Sequence, residues 1–331
     1  MLRKNLIKYK IVVGSIALLF LLVSCAKVSS VKHLRLAHGL APTHPVHKAM
    51  LYLSERMKEK SNGKVIIDVY PSQQLGTERQ CIELLQIGGL AMTKVSASVL
   101  EGFAPEFKVF SLPYIFRDDE QKFKVFEGSI GKKLLLSPQK YRLRGLCYYD
   151  AGSRSFYTKN KPIYKPSDLI GLKIRTQESA TSVKMVNALG ASATPIAWGE
   201  LYTALQQGVV DGAENNPPSF YLSHHYEVCK YYSLDEHTSV PDVLLISTEV
   251  WSELTHQEQK WLQESADESY RYEKILWQKA TQNALEEVQK AGVKIIHPDK
   301  SLFEKKVQPL IESYKNNPVI YNLIQNIKAV K

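Results

Sequence analysis

The stretch Leu169–Asn216 limits the fold more than any other part of the chain, because strand and helix periodicities alternate along it. After Gly171, Leu172 and Ile174 alternate with Lys173 and Arg175, the period of a half-buried strand. From about Thr181 the spacing of Val183, Val186 and Leu189 predicts a helix that stops at Gly190. Ala193–Ile196 reads as a second strand, Glu200–Gln207 as a second helix ended by Gly208, and Val209-Val210-Asp211 as a third strand. Asn215-Asn216-Pro217-Pro218 halts the stretch with turn chemistry. This β-α-β-α-β order predicts parallel strands joined by right-handed crossovers. In open α/β sheets, ligands sit beyond the carboxyl ends of the strands, and Arg175, Trp198 and Asn215 fall there. A guanidinium, an aromatic plane and an amide suit a small polar anion.

The first part of the chain repeats the plan. Leu34–Ala37 is a strand ending at His38-Gly39, and a helix from about Val46 to Lys60 follows. Val65–Tyr70 alternates as a strand, a helix begins near Glu78, and Leu90–Val95 is a third strand running into Ser96. The strand ends of this half offer His38, Glu78, and Lys94 or Ser96. One helix is predicted from Asp118 through Leu136, then a strand over Leu143–Asp150 that delivers Gly152-Ser153-Arg154 to its end. Tyr157–Pro162 has turn composition and suits a hinge. Val243–Ile246 is a strand, and Thr255 with Glu258 has capping-box spacing. The helix that box starts meets no Gly or Pro before Gly292, a length that suggests a backbone shared by two lobes. The fold class is therefore α/β with two lobes: residues 34–153 plus about 242–280, and 154–241 plus about 281–331.

Met1–Lys10 carries Arg3, Lys4, Lys8 and Lys10 with no acid, and Ile11–Val23 is an apolar run of signal-peptide length. Leu22-Val23-Ser24-Cys25 resembles the bacterial lipobox, implying a signal peptide over 1–24, lipidation at Cys25, and a linker over 25–33. An ordinary signal peptide with an incidental cysteine is the alternative. Removing four cations and no acid lowers the formal charge from +10 to +6. The remaining charges are interspersed with no basic tract, which argues against nucleic acid as a partner. Cys81, Cys147 and Cys229 show no metal or CxxC spacing and read as buried thiols, although one disulfide is open to an exported chain.

Arg175 is the strongest candidate for chemistry, because a guanidinium matches a carboxylate bidentately and is costly to bury unpaired. A salt bridge to Glu178 would also account for it. Arg154 lies among small residues that allow close approach, or is simply an exposed loop arginine. Asn215 could serve a sugar acid as donor and acceptor, or belong to an ordinary turn. Glu78 could accept hydroxyl protons, or complement a helix dipole. Trp198 could stack on a sugar face, or be core. His224-His225 are adjacent rather than three or four apart, so no metal site is expected. No nucleophile–base, Walker or dinucleotide motif is present.

Several segments carry a resemblance: Tyr70-Pro71-Ser72-Gln73-Gln74-Leu75-Gly76, Leu112-Pro113-Tyr114, Gly152-Ser153-Arg154, Gly171-Leu172-Lys173-Ile174-Arg175 and the run from Trp198 to Asn215. From about Leu34 to Pro309 the chain resembles the solute-binding proteins of tripartite ATP-independent periplasmic (TRAP) transporters, the DctP-like family. The resemblance implies a two-lobed periplasmic-binding-protein fold closing on an organic acid. The family's carboxylate-binding arginine matches Arg175, its second arginine Arg154, and its asparagine Asn215. Its acidic position after Gln-Leu-Gly matches Glu78, its third-strand end Ser96, and its aromatic Trp198. Members that bind sialic acid carry a glutamate where this sequence has Ser96. Glu78-Arg79 with both arginines and Asn215 looks more like the branch binding hexuronates such as glucuronate and galacturonate.

The resemblance thus implies capture without catalysis and without cofactor or metal. The expected partners are a small organic acid, TRAP membrane permease subunits, and a membrane through the lipid anchor, with the protein periplasmic and monomeric. Presentation of ligand to a membrane sensor, or binding of an aldonate, dicarboxylate or sialic acid, are the alternatives.

Overall fold

The computed structural model describes residues 31–331. The expected signal peptide, Cys25 and most of the linker lie outside them. Eleven strands are described: β1 (Lys32–Ala37), β2 (Val65–Tyr70), β3 (Met92–Ser96), β4 (Leu143–Tyr149), β5 (Arg154–Thr158), β6 (Lys173–Thr176), β7 (Ser192–Pro195), β8 (Gly212–Asn215), β9 (Tyr231–Thr238), β10 (Asp242–Ser247) and β11 (Lys294–Ile296). They form two sheets, ordered β2-β1-β3-β10-β4 and β11-β9-β5-β8-β6-β7. Each sheet is the centre of one lobe. β10 runs antiparallel to both β3 and β4, while β6 is parallel to β7 and β8.

Local sequence explains the elements. The helix Pro45–Lys60 begins with proline, where no amide donor is needed, and its first turn is capped by the His44 ring. Its apolar stripe Val46, Ala49, Met50, Leu53 and Met57 is fully buried, and burying each large side chain contributes about 1.5–3 kcal/mol. Thr77 and Gln80 form a capping box on Glu78–Gln86, as Thr255 and Glu258 do on the 35-residue helix His256–Lys290. Val243–Ile246 of β10 is an unbroken apolar run because both faces of the strand are covered. Val243 and Leu245 enter one cluster of the first lobe, and Leu244 and Ile246 the other.

The long helix belongs to both lobes. Leu262, Ala266 and Trp277 pack in the first-lobe core and Val288 in the second. The C-terminal helix Pro318–Ala329 departs from the expected grouping of 281–331 with the second lobe. Its Ile320, Ile324 and Ile327 pack beside Phe107, Val109 and Phe110 of the first lobe, so the chain crosses back after Ser313.

Three local expectations are also corrected. The helix expected through Leu136 is broken at Gly128, whose extended backbone separates Asp119–Glu127 from Ser129–Leu136. Residues 154–158 form β5, an antiparallel strand inserted between β8 and β9, in place of a turn beginning at Tyr157. The strand expected at Val209–Asp211 lies at Gly212–Asn215. Gly208, with φ of 76°, ends the preceding helix, and the Val209 amide still bonds back to Ala204 O at 3.0 Å. Val209 is consequently 49% exposed.

Candidate functional site

A cleft lies between the lobes, lined from both sides. Arg175, Arg154, Asn215, Glu78, Trp198 and Ser96 all line it; His38 does not. His38 ends β1 as expected, but its ring is turned behind the cleft wall, with Nε2 2.9 Å from His47 Nδ1 and Nδ1 accepting from the Leu40 amide at 3.1 Å. His44 takes the place at the cleft.

The second lobe supplies the cationic wall. β8 lies between β5 and β6, so the first residue of antiparallel β5 meets the last residues of β8. Arg154 accordingly reaches the Glu214 carboxylate through Nε and Nη2, Glu214 O through Nη2 at 2.7 Å, and Asn215 Oδ1 through Nη1 at 2.8 Å. Burial opposes the charge on Glu214, but Arg154 and His237 together outweigh it and hold that carboxyl at about 2. Behind the pair, His237 sits 2.8 Å from Asp235 and 3.6 Å from Glu214. Burial works against its protonation, and the two carboxylates still raise it to about 9. Asn215 Oδ1 also accepts from the Asn216 amide, which commits the oxygen and leaves the amide N–H groups for the cleft. Asn216 caps the helix Pro217–Leu222, so Asn-Asn-Pro-Pro is a strand end followed by a helix start.

Arg175 is placed differently. It is 2% exposed, its Nε donates to Ile196 O at 2.9 Å, and its Nη1 is buried with no hydrogen-bond partner among the described residues. The expected alternative, a salt bridge to Glu178, is not formed; Glu178 only lines the same cleft. Burial and neighbouring Arg154 lower its pKa, while Glu214 and Tyr157 act in the opposite direction. The guanidinium carbon lies 5.9 Å from the Trp198 ring, within cation–π range.

The first lobe supplies polar groups. Lys94 is 2% exposed and bridges Glu78 at 3.2 Å and Asp242 at 3.1 Å. Burial disfavours its charge, and those two carboxylates overcome the penalty and raise it. The Ser96 amide also donates to Glu78. Hydrogen bonds cross from lobe to lobe: Ser96 Oγ to Gln177 Oε1 at 3.2 Å, His44 Nε2 with Ser219 Oγ at 3.3 Å, and the Thr181 amide to Glu101 at 2.9 Å. The lobes are therefore drawn together over the cleft.

Gln73, His44, Gln177, Asp242 and Trp277 also line the cleft and were missed from the sequence. Asp242 had a usable signal, being the single acid at the head of an apolar strand. The other four lie at a turn, a helix cap, a loop and mid-helix, where no periodicity marks them.

Two sheet-centred lobes that meet over a cleft lined from both sides have the architecture of a solute-binding protein. The chain belongs to the bacterial extracellular solute-binding protein family 7, DctP, whose model matches residues 36–317. It is 37% identical over 300 residues to the uncharacterised protein YiiZ of Salmonella typhimurium, covering 90% of this chain and 91% of that one. A TRAP periplasmic solute-binding protein of Xanthobacter autotrophicus, solved with bound β-D-galacturonate, superposes with a TM-score of 0.87 at 40% identity, covering 90% of this chain and 100% of its own. One from Anaerococcus prevotii with bound α/β-D-glucuronate gives 0.88 at 37% identity, covering 90% and 97%.

Proposed function

We propose that this protein captures a hexuronate, galacturonate or glucuronate, as the extracytoplasmic subunit of a TRAP transporter, and hands it to the membrane permease. The observation that carries the reading is Arg175 Nη1, buried at the cleft without a hydrogen-bond partner among the described residues. A buried guanidinium in that state is stabilised by any ligand that brings a carboxylate to it. Trp198 beside it presents a ring face for the sugar, and Asn215 presents amide donors. Arg154 is held by Glu214 and so acts mainly by fixing Asn215. Glu78 and Asp242 face the cleft from the other side and can accept from hydroxyl groups. The hexuronates bound to the two solved relatives support this choice over sialic acid. Ligand favours the closed form by its differential affinity, and that form is what the permease reads.

The lipobox-like segment supports attachment of the mature chain to a membrane through Cys25. Loss of labelling by a radioactive fatty acid in Cys25→Ser tests this. For the site, calorimetric titration with galacturonate, glucuronate, succinate and sialic acid is decisive. The hexuronates are expected to bind in the micromolar range or tighter, about −8 kcal/mol or better. Retention of that affinity by Arg175→Ala would remove the assigned anchor.

A further inference from the structure

We propose that Gln73 is a specificity-determining contact, donating its side-chain amide to a hydroxyl of the bound sugar acid; this rests on the hexuronate reading above. Gln73 lines the cleft from the first lobe, and its Nε2 is buried with no hydrogen-bond partner among the described residues. The neighbouring donors of that lobe are already engaged: Lys94 with Glu78 and Asp242, Ser96 Oγ with Gln177, and His44 with Ser219. A buried amide donor without an acceptor is unfavourable, and an arriving hydroxyl oxygen relieves it.

The backbone holds this side chain in place. Ser72 and Gln73 have φ of 55° and 59°, a left-handed conformation that non-glycine residues adopt only when their surroundings impose it. The imposing contacts are Ser72 N to Leu40 O and Gln73 N to His38 O, both 3.0 Å. Opposite, a Cβ on Gly199 would stand 2.1 Å from Gln73 Oε1, so the missing side chain makes the room that the amide occupies. Gln73 thus reaches from the first lobe against the Trp198-Gly199 turn of the second. Arg175 holds the carboxylate from the second lobe, and Gln73 meets the ligand from the other wall, where the ring hydroxyls lie.

The test is calorimetric titration of the wild type and Gln73→Leu with galacturonate, glucuronate and their monodeoxy derivatives. The wild type is expected to lose about 10- to 100-fold in affinity for one deoxy derivative, and Gln73→Leu to lose a similar factor for the parent acid. In Gln73→Leu that same derivative should then bind as well as its parent. Gln73→Leu binding both uronates within twofold of the wild type overturns the assignment and leaves the hexuronate reading intact. A wild type that binds neither uronate overturns both. Should Gln73→Leu fail to fold, Gln73→Asn, which tolerates the left-handed turn and withdraws the amide, is read in the same way.

Discussion

Arg154 and Arg175 stand on the two strands that flank β8, and only Arg154 has a carboxylate of its own. On the proposed reading the first arginine is structural, held by Glu214, and the second is the partner of the ligand's carboxylate. Replacing Arg175 by methionine should therefore separate stability from binding. Hexuronate affinity should fall by about 2–5 kcal/mol, the usual cost of deleting one partner of a buried charge pair. The ligand-free Tm should stay the same or rise, because an unpaired buried charge has been removed. A large fall in Tm would contradict the account.

Glu214→Gln should do the reverse. It leaves Arg154 buried without its counter-charge, and a loss of about 3–5 kcal/mol in urea unfolding is expected. Replacing both residues by apolar ones of similar size should recover much of that loss, since the pair as a whole adds little net stability.

Gly199→Ala probes closure. Its new methyl meets the end of the Gln73 side chain, which must move, while the helix starting at Leu201 is untouched. Overpacking of this kind is worth about 1–3 kcal/mol, so hexuronate affinity should drop about tenfold or more. Stopped-flow fluorescence should place the loss in the dissociation rate. An unchanged rate would mean that the lobes close without this contact.

Stability should peak near pH 6.5. His237, raised from 6.5 to about 9 despite burial, contributes stability that is complete below 6.5 and disappears as the pH rises through about 9. Burial lowers His38 to about 2, and His44 and His225 to about 3. Below pH 6.5 the unfolded chain takes up protons that these rings refuse, at up to about 1.4 kcal/mol per pH unit for each. Glu214, held at about 2, adds a contribution present above 4.5 and lost as the pH falls toward 2. Urea midpoints at about pH 5, 6.5 and 9 should show the maximum at the middle value. His237→Gln should flatten the alkaline side.

Much of this architecture was legible, and the failures share a cause. Arg175 was found because a cation on an apolar-alternating strand breaks a local pattern. The order of elements in Leu169–Asn216 followed from periodicity. The end of its third strand was displaced because Gly208 and Val209 complete a helix cap rather than begin a strand. Arg154's engagement with Glu214 could not be read, since it depends on β5 inserting antiparallel beside β8, a pairing between distant residues. His38 was placed correctly along the chain but not in direction, because its partner His47 lies one helix turn into the next element. Gln73 looked like one more turn residue; only the left-handed backbone aims it at the cleft.

The return of Pro318–Ala329 to the first lobe has a consequence for how the protein comes into being. The apolar floor formed by Phe107, Val109 and Phe110 is roofed by Ile320, Ile324 and Ile327, residues synthesised long after β4. A lobe begun first is therefore finished last, and its greasy underside stays open until nearly the whole chain has emerged.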